Sequence, residues 1–186
     1  MKGSPAVLPR AFFARSSVRV ARDLIGARLL IDGAGGTIVE TEAYDRADPA
    51  SHSHRGPTPR NAAMFGPPGH AYVYRSHGLH RCLNFVCDAL QPGSAVLVRA
   101  IEPMHGFGPM RARRGLEDAR RLCAGSGRLC QALGVTRAHD GLPLNEAPFL
   151  IEERSGPVER SPSGRGSASA AAAQRPGASA WRARRS

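Results

Sequence analysis

A fold of the α+β class, in one domain, is what this sequence predicts, on three observations. The chain has 186 residues, a length that suits a single domain, and 41% of them are hydrophobic, enough for a core. Up to residue 101, short runs rich in β-branched and aromatic residues are punctuated by glycine-containing turns. Beyond Pro103 the apolar spacing turns helical.

In order, residues 1–11 read as a flexible leader. Ser16 and Ser17 offer caps for a helix through Val18, Ala21, Leu24 and Ile25, and Gly26 stops it. Ala27–Ile31 and Thr37–Tyr44 read as strands joined by a flexible link, Asp32-Gly33-Ala34-Gly35-Gly36. Residues 45–69 form a loop rich in Pro, Gly, His and Arg, long enough to be functional or disordered. Ala71–Ser76 and Arg81–Cys87 are strands joined through His77-Gly78-Leu79-His80, and Ser94–Ile101 is a further strand. Helices follow over Met110–Arg114, Leu116–Leu122 and Arg128–Leu133, the last with Ser126 as a cap able to receive a phosphate. Phe149–Ile151 is one more strand. Residues 154–186 are a basic tail, low in large apolar residues over Ser161–Ala180 and expected to be disordered. No internal repeat is visible.

Charge narrows the partners. The chain carries 26 basic against 15 acidic residues, a formal net charge of +11. Seven arginines against one glutamate lie from Arg154 onward, so the domain itself is only modestly basic. A polyanion, with nucleic acid the commonest, fits this balance. Cys82, Cys87, Cys123 and Cys130 are spaced too loosely for a zinc site and read as buried reduced thiols. No apolar stretch approaches the ~18–20 residues that span a membrane. The N-terminus lacks a signal-peptide pattern, so a cytoplasmic location is expected.

The stretch Ile38-Val39-Glu40-Thr41-Glu42-Ala43-Tyr44 carries the clearest chemistry. Period-2 alternation sets Val39, Thr41 and Ala43 on one face and Glu40, Glu42 and Tyr44 on the other. Two carboxylates beside an aromatic ring suit activation of water next to a flat substrate, or else a solvated strand face. A two-carboxylate glycosidase pair fits less well, because residues two apart on a strand point the same way. Arg99, set among Val96, Leu97, Val98 and Ile101, is either a ligand contact or an ion-pair partner for Glu40 or Glu42. On the residues alone, Tyr72 and Tyr74 read as packing residues, His52 and His54 as solvated loop residues, and Asn84 as a group satisfying backbone.

Seven blocks in order go further: V-E-T-E-A-Y (39–44), D-P-A-S-H (48–52), T-P-R-N (58–61), A-Y-V-Y (71–74), C-L-N (82–84), V-R-A-I-E-P (98–103) and L-C-Q-A-L-G (129–134). Over residues 12–152 the chain resembles the alkyladenine (3-methyladenine) DNA glycosylases. The resemblance implies one compact domain around a curved, mostly antiparallel sheet with flanking helices. It implies a monomeric, monofunctional enzyme, free of metal and cofactor, that excises alkylated purines (3-methyladenine, 7-methylguanine, in some members hypoxanthine) from duplex DNA in base excision repair. A bacterial, nucleoid-associated location follows.

By that resemblance Glu42 activates the water and Arg99 stands near it and the phosphate. Tyr44, His52 and Tyr74 sandwich the everted base, and Asn84 screens out normal guanine. His77 holds the place of a wedge residue that is commonly Tyr, with Leu79 and His80 beside it. Arg55, Arg60, Arg75, Arg81 and Ser126 are candidate phosphate contacts.

One departure stands out. Past Leu150 the relatives continue into a basic-aromatic strand that borders the pocket, where this chain has low-complexity sequence. The expectation is a glycosylase domain over 12–153 that lacks this strand, through a replaced C-terminus or a lineage-specific tail. A DNA-binding relative without catalysis is the first rival reading, and a Cys/His metalloprotein the second.

Overall fold

The turn between the first two strands is tighter than the sequence suggests. The structure, a computed structural model, describes residues 6–154 and 181–184. Strands β1 (Arg28–Ile31) and β2 (Ala34–Tyr44) are joined by Asp32 and Gly33 alone, with Ile31 opposite Ala34. Both turn residues have positive φ, 49° and 76°, the geometry that makes Asp-Gly a favoured two-residue hairpin. Ala34, Gly35 and Gly36 thus belong to β2 rather than to a flexible link. Side chains are absent at Gly35 and Gly36 because both neighbouring strands press in: a Cβ there would collide with the carbonyl oxygens of Leu29 and Glu102.

Strands β3 (Ala71–Ser76), β4 (His80–Cys87), β5 (Ser94–His105) and β6 (Phe149–Glu152) complete an antiparallel sheet in the order β3-β4-β5-β2-β1-β6. Strand β5 runs four residues beyond the expected end at Ile101, because β2 pairs with it as far as His105. The edge of β2 opposite β5 meets β1 over residues 34–37 and a seventh strand, β7 (Trp181–Arg184), over Glu40–Ala43. Four residues beyond 153 thus join the sheet. The expected disorder of the rest of the tail falls on 155–180 and 185–186, outside the described residues.

Helices α1 (Arg10–Phe13), α2 (Ser17–Leu24), α3 (Phe107–Arg114), α4 (Ala119–Leu122) and α5 (Ser126–Leu133) flank the sheet. Val20, Ala21 and Leu24 of α2, Met110 of α3, Leu122 of α4 and Leu129, Cys130 and Leu133 of α5 form one core cluster with Leu29, Ile31, Ile38, Leu83, Phe85, Val96 and Val98 of the sheet. At about 25 cal/mol per Å² of apolar surface, this face supplies most of the driving force for folding. The opposite face carries a smaller cluster of Met64, Tyr72, Val86 and Ala95, with Tyr44, Ala63 and Tyr74 packed on it.

Two local expectations change. The helix expected over 116–122 shrinks to Ala119–Leu122, started by Asp118, whose side chain accepts from Arg120 N–H. The leader is anchored from residue 6 on: Glu153 N–H donates to Ala6 O, Leu8 is buried and its N–H donates to Ile151 O. Residues 1–5 lie outside the described residues.

The loop over 45–69 is held by its own side chains. Asp45 accepts from the N–H groups of Ala47 and Asp48 at 2.8 and 3.0 Å. Ser53 donates to Gly93 O at 2.6 Å, tying the loop to the β4–β5 turn. Asn61, buried, donates to His52 O at 2.8 Å and Gly56 O at 3.1 Å while accepting from Thr58 N–H and Oγ1–H. A single 3₁₀ turn, Ala62–Phe65, follows.

Candidate active site

Opposed residues on antiparallel strands share a face, and the register lines up four of them. Tyr72 lies opposite Asn84, Asn84 opposite Leu97, and Leu97 opposite Glu42. All four are therefore on the face away from the main core. Alternation adds Tyr74 and Tyr44 to that face and turns Thr41 the other way, where its hydroxyl donates to Ala21 O of α2 at 3.0 Å.

Arg99, two residues beyond Leu97 on β5, is on the same face by alternation. Ile38 is opposite Ile101, Glu40 opposite Ala100 and Thr41 opposite Val98, so Val39 and Arg99 each lack a direct partner across β2 and β5. Arg99 Nε stands 3.7 Å from Glu42 Oε1 and 4.0 Å from Glu40 Oε1. That Nε makes no hydrogen bond among the described residues. The ion-pair reading of Arg99 is met, with both acids.

Glu42 is 4% exposed. Its Oε2 accepts a 2.8 Å hydrogen bond from the Tyr44 hydroxyl. Burial, and then the charge of Glu42, push the Tyr44 phenol well above its ordinary value, so it remains a donor at all working pH values.

Tyr44 lines an open cleft together with Ala50, Ser51, His52, Met64, Tyr72, Tyr74 and Asn84. Tyr72 and Tyr74 stack with centroids 5.5 Å apart at 29°. The His52 ring meets Tyr74 edge-on at 4.3 Å, and its Nδ1 is 2.9 Å from the Tyr72 hydroxyl. Burial, then Arg60, lower the His52 pKa from 6.5 and favour the neutral ring. Burial pushes the Tyr72 phenol up to about 12 and raises Tyr74 as well. The Asn84 amide donates to Tyr72 O at 3.1 Å, so it both lines the cleft and satisfies backbone.

The expected residues thus divide. Tyr44, His52, Tyr74 and Asn84 meet in one cleft, with Glu42 and Arg99 joined to it through Tyr44. His77, Leu79 and His80 stand at the β3–β4 turn, where His77 has φ 47° and Leu79 is 79% exposed. His80 lies against α5, since a Cβ on Gly127 would strike its ring. Ser126 does not cap α5. It is the first helical residue, it is buried, and its hydroxyl oxygen accepts from the Cys82 thiol at 3.7 Å. Arg75 and Arg81 are opposed across β3 and β4 on the face of Val73 and Leu83, away from the cleft. Arg60 donates to Arg75 O at 2.9 Å. The sequence reading missed Tyr72, Met64, Ala50 and Ser51 as lining residues. Tyr72 carried a signal, being two residues before Tyr74 on one strand.

The family described as methylpurine-DNA glycosylase matches residues 11–178. The chain belongs to that family. It is a DNA glycosylase, a hydrolase of N-glycosyl bonds that acts on DNA in its repair. Proteins from Nitrobacter winogradskyi and from Rhodopseudomonas palustris strain HaA2 are 61% and 62% identical to it, over 80% of this chain and 71% and 74% of their own. One from Rhizobium meliloti is 64% identical over 75% of this chain and 74% of its own. Each carries the provisional name 3-methyladenine DNA glycosylase. Among the described residues no helix is long and apolar enough to cross a membrane. The four cysteines are free and buried.

Proposed function

We propose that this protein excises purines alkylated at N3 or N7, 3-methyladenine and 7-methylguanine foremost, from duplex DNA, acting as a monomer with Glu42 as the base that activates water. The observation that carries the reading is the hydrogen bond from Tyr44, a cleft-lining ring, to Glu42, a nearly buried carboxylate.

A purine in the stack hides its glycosidic bond, so the nucleotide has to leave the duplex at a cost of a few kcal/mol. Stacking recovers roughly 1–3 kcal/mol per base, and Tyr44, His52 and Tyr74 offer the rings, with buried Tyr72 backing Tyr74. The β3–β4 turn supplies the filler for the vacated gap. His80 is occupied with α5, leaving His77 and the exposed Leu79 to enter it.

Alkylation at N3 or N7 makes the purine cationic. The electron-rich faces of the tyrosines then add a cation–π attraction. The neutral His52 adds no opposing charge. A cationic purine also leaves without being protonated: the C1′–N9 bond breaks with its electron pair going to the base, which departs neutral. Water forms the new bond to C1′, and its proton passes to Glu42. The carboxylate also opposes the positive charge that develops on the sugar. Arg99 steadies the Glu42 oxygen that Tyr44 does not hold. Asn84, beside Tyr72 in the cleft, meets the edge of the base and selects against an extra exocyclic amine.

Hypoxanthine is neutral and needs an acid on the base side, so its release should be far slower. Chromatography of the bases freed from methylated duplex DNA and from a hypoxanthine duplex tests this order. Release of 3-methyladenine and 7-methylguanine well ahead of hypoxanthine supports the reading, and binding without release of any base counts against it.

A further inference from the structure

Strand β3 ends the sheet, yet its outer edge is closed. Gly69 O accepts from Leu144 N–H at 2.9 Å, and Ala71 bonds through N–H to Leu142 O and through its carbonyl to Gly141 N–H, both at 2.8 Å. At Val73 backbone partners stop and side chains take over. Asp140 Oδ1 accepts from Val73 N–H at 2.7 Å, and Arg137 Nη1 donates to Val73 O at 3.3 Å. At Arg75 the carbonyl takes Arg60 Nη2 at 2.9 Å. An ion pair at 3.3 Å joins Arg137 Nη2 to Asp140 Oδ2.

We infer that Asp140, with Arg137, is a positioning pair for base binding: the two side chains stand where a neighbouring strand would, and hold Val73 so that Tyr72 and Tyr74 present a fixed stack to the everted purine. The inference rests on the reading of the cleft as the base pocket. Val73 is the residue between the two tyrosines, so rotation of its peptide groups would turn both rings. An edge strand bonded on one side only is free to fray. Bonds to ionised groups are the stronger kind.

The turn that carries the pair is itself braced. Thr136 Oγ1 accepts from Ala138 N–H at 3.3 Å, and His139 Nδ1 accepts from Thr136 N–H at 3.0 Å, closing a capping box around residues 137–139. Asp140 is 13% exposed and Arg137 57%, so the carboxylate is the inner and stronger member. Arg60 extends the seal and acts on both Tyr72 and His52 electrostatically, which links the β3 edge to the far side of the same cleft. The same seal blocks addition of a foreign strand.

The test combines amide exchange with kinetics on the full chain. Exchange at Val73, followed by NMR, needs no substrate, so it decides the clamp even if the wild type releases no base, an outcome that would count against the proposed function alone. Asp140→Ala should accelerate Val73 exchange and raise KM for a 7-methylguanine duplex, each about tenfold, with kcat held within about threefold. Asp140→Asn, which keeps an acceptor for Val73 N–H, should restore both to within about threefold of wild type. Arg137→Ala, a milder variant that remains informative where Asp140→Ala fails to fold, should move both readouts the same way by less. Unchanged Val73 exchange in both alanine variants would overturn the inference. So would an Asp140→Asn variant as impaired as Asp140→Ala.

Discussion

Tyr44 and Glu42, two residues apart on β2, are joined side chain to side chain, the phenol donating to the carboxylate at 2.8 Å. The ring that lines the cleft and the group proposed to activate water are therefore oriented by one bond. Tyr44→Phe keeps the stacking surface and removes that bond. Base release in single-turnover assays should fall about tenfold, the worth of a charge-assisted hydrogen bond. Tyr44→Ala removes the ring too and should fall further. Equal loss in both variants would mean that the hydroxyl, not the ring, does all the work.

The direction of the His52 shift sets an acid limit. Burial and Arg60 hold its pKa below 6.5, so the ring stays neutral at pH 6.5 and gains a proton only at lower pH. A protonated ring would repel a cationic purine. Release of 7-methylguanine should thus decline on the acid side of 6.5 through a component that His52→Phe removes. The unfolded chain, whose histidine titrates at the higher value, takes up that proton first, so His52 favours the folded state above pH 6.5 and stability falls below it. A pH profile in which both proteins decline alike would contradict this role.

Asn61 holds the loop that delivers His52, through its bonds to His52 O, Gly56 O and Thr58. Asn61→Ala leaves buried backbone groups without partners and should cost about 1–3 kcal/mol in urea unfolding. Its KM should rise more than its kcat falls, because His52 recognises the base and takes no part in bond breaking. A variant as stable as wild type would show that the loop is held elsewhere.

Cys82, Cys87, Cys123 and Cys130 are buried, and burial pushes the Cys123 thiol up to about 11 and raises Cys87 and Cys130 too. Thiolate is the reactive form. Ellman's reagent should find almost no reactive thiol in the native protein at pH 8 and four after denaturation. Rapid native labelling would show that the α5–β4 packing opens.

Much of the site was legible because a strand repeats every two residues. That period alone separated Glu42 and Tyr44 from Thr41 and Ala43, as the bonds of Thr41 to Ala21 and of Tyr44 to Glu42 bear out. The α+β class followed from hairpins ahead of helices. What sequence could not supply was register. The irregularity that leaves Val39 and Arg99 without cross-strand partners depends on which residues of β5 face β2. The inward turn of Ser126 depends on Cys82, 44 positions away. Strand β7 was missed because the Trp-Arg-Ala-Arg alternation covers only four residues and sits beside low-complexity sequence. Tyr72 was passed over because a strand tyrosine is ordinarily a packing residue, and here it is that as well: 1% exposed, and still a wall of the cleft.

The most direct measurement is release of free base from a 7-methylguanine duplex by wild type and Glu42→Gln, with duplex binding followed in parallel. The glutamine retains shape and hydrogen-bonding capacity but cannot take a proton from water. Binding within a few-fold of wild type and a loss of about 10²–10⁴ in the single-turnover rate is the result expected of a removed general base. Release by Glu42→Gln at the wild-type rate would contradict the account.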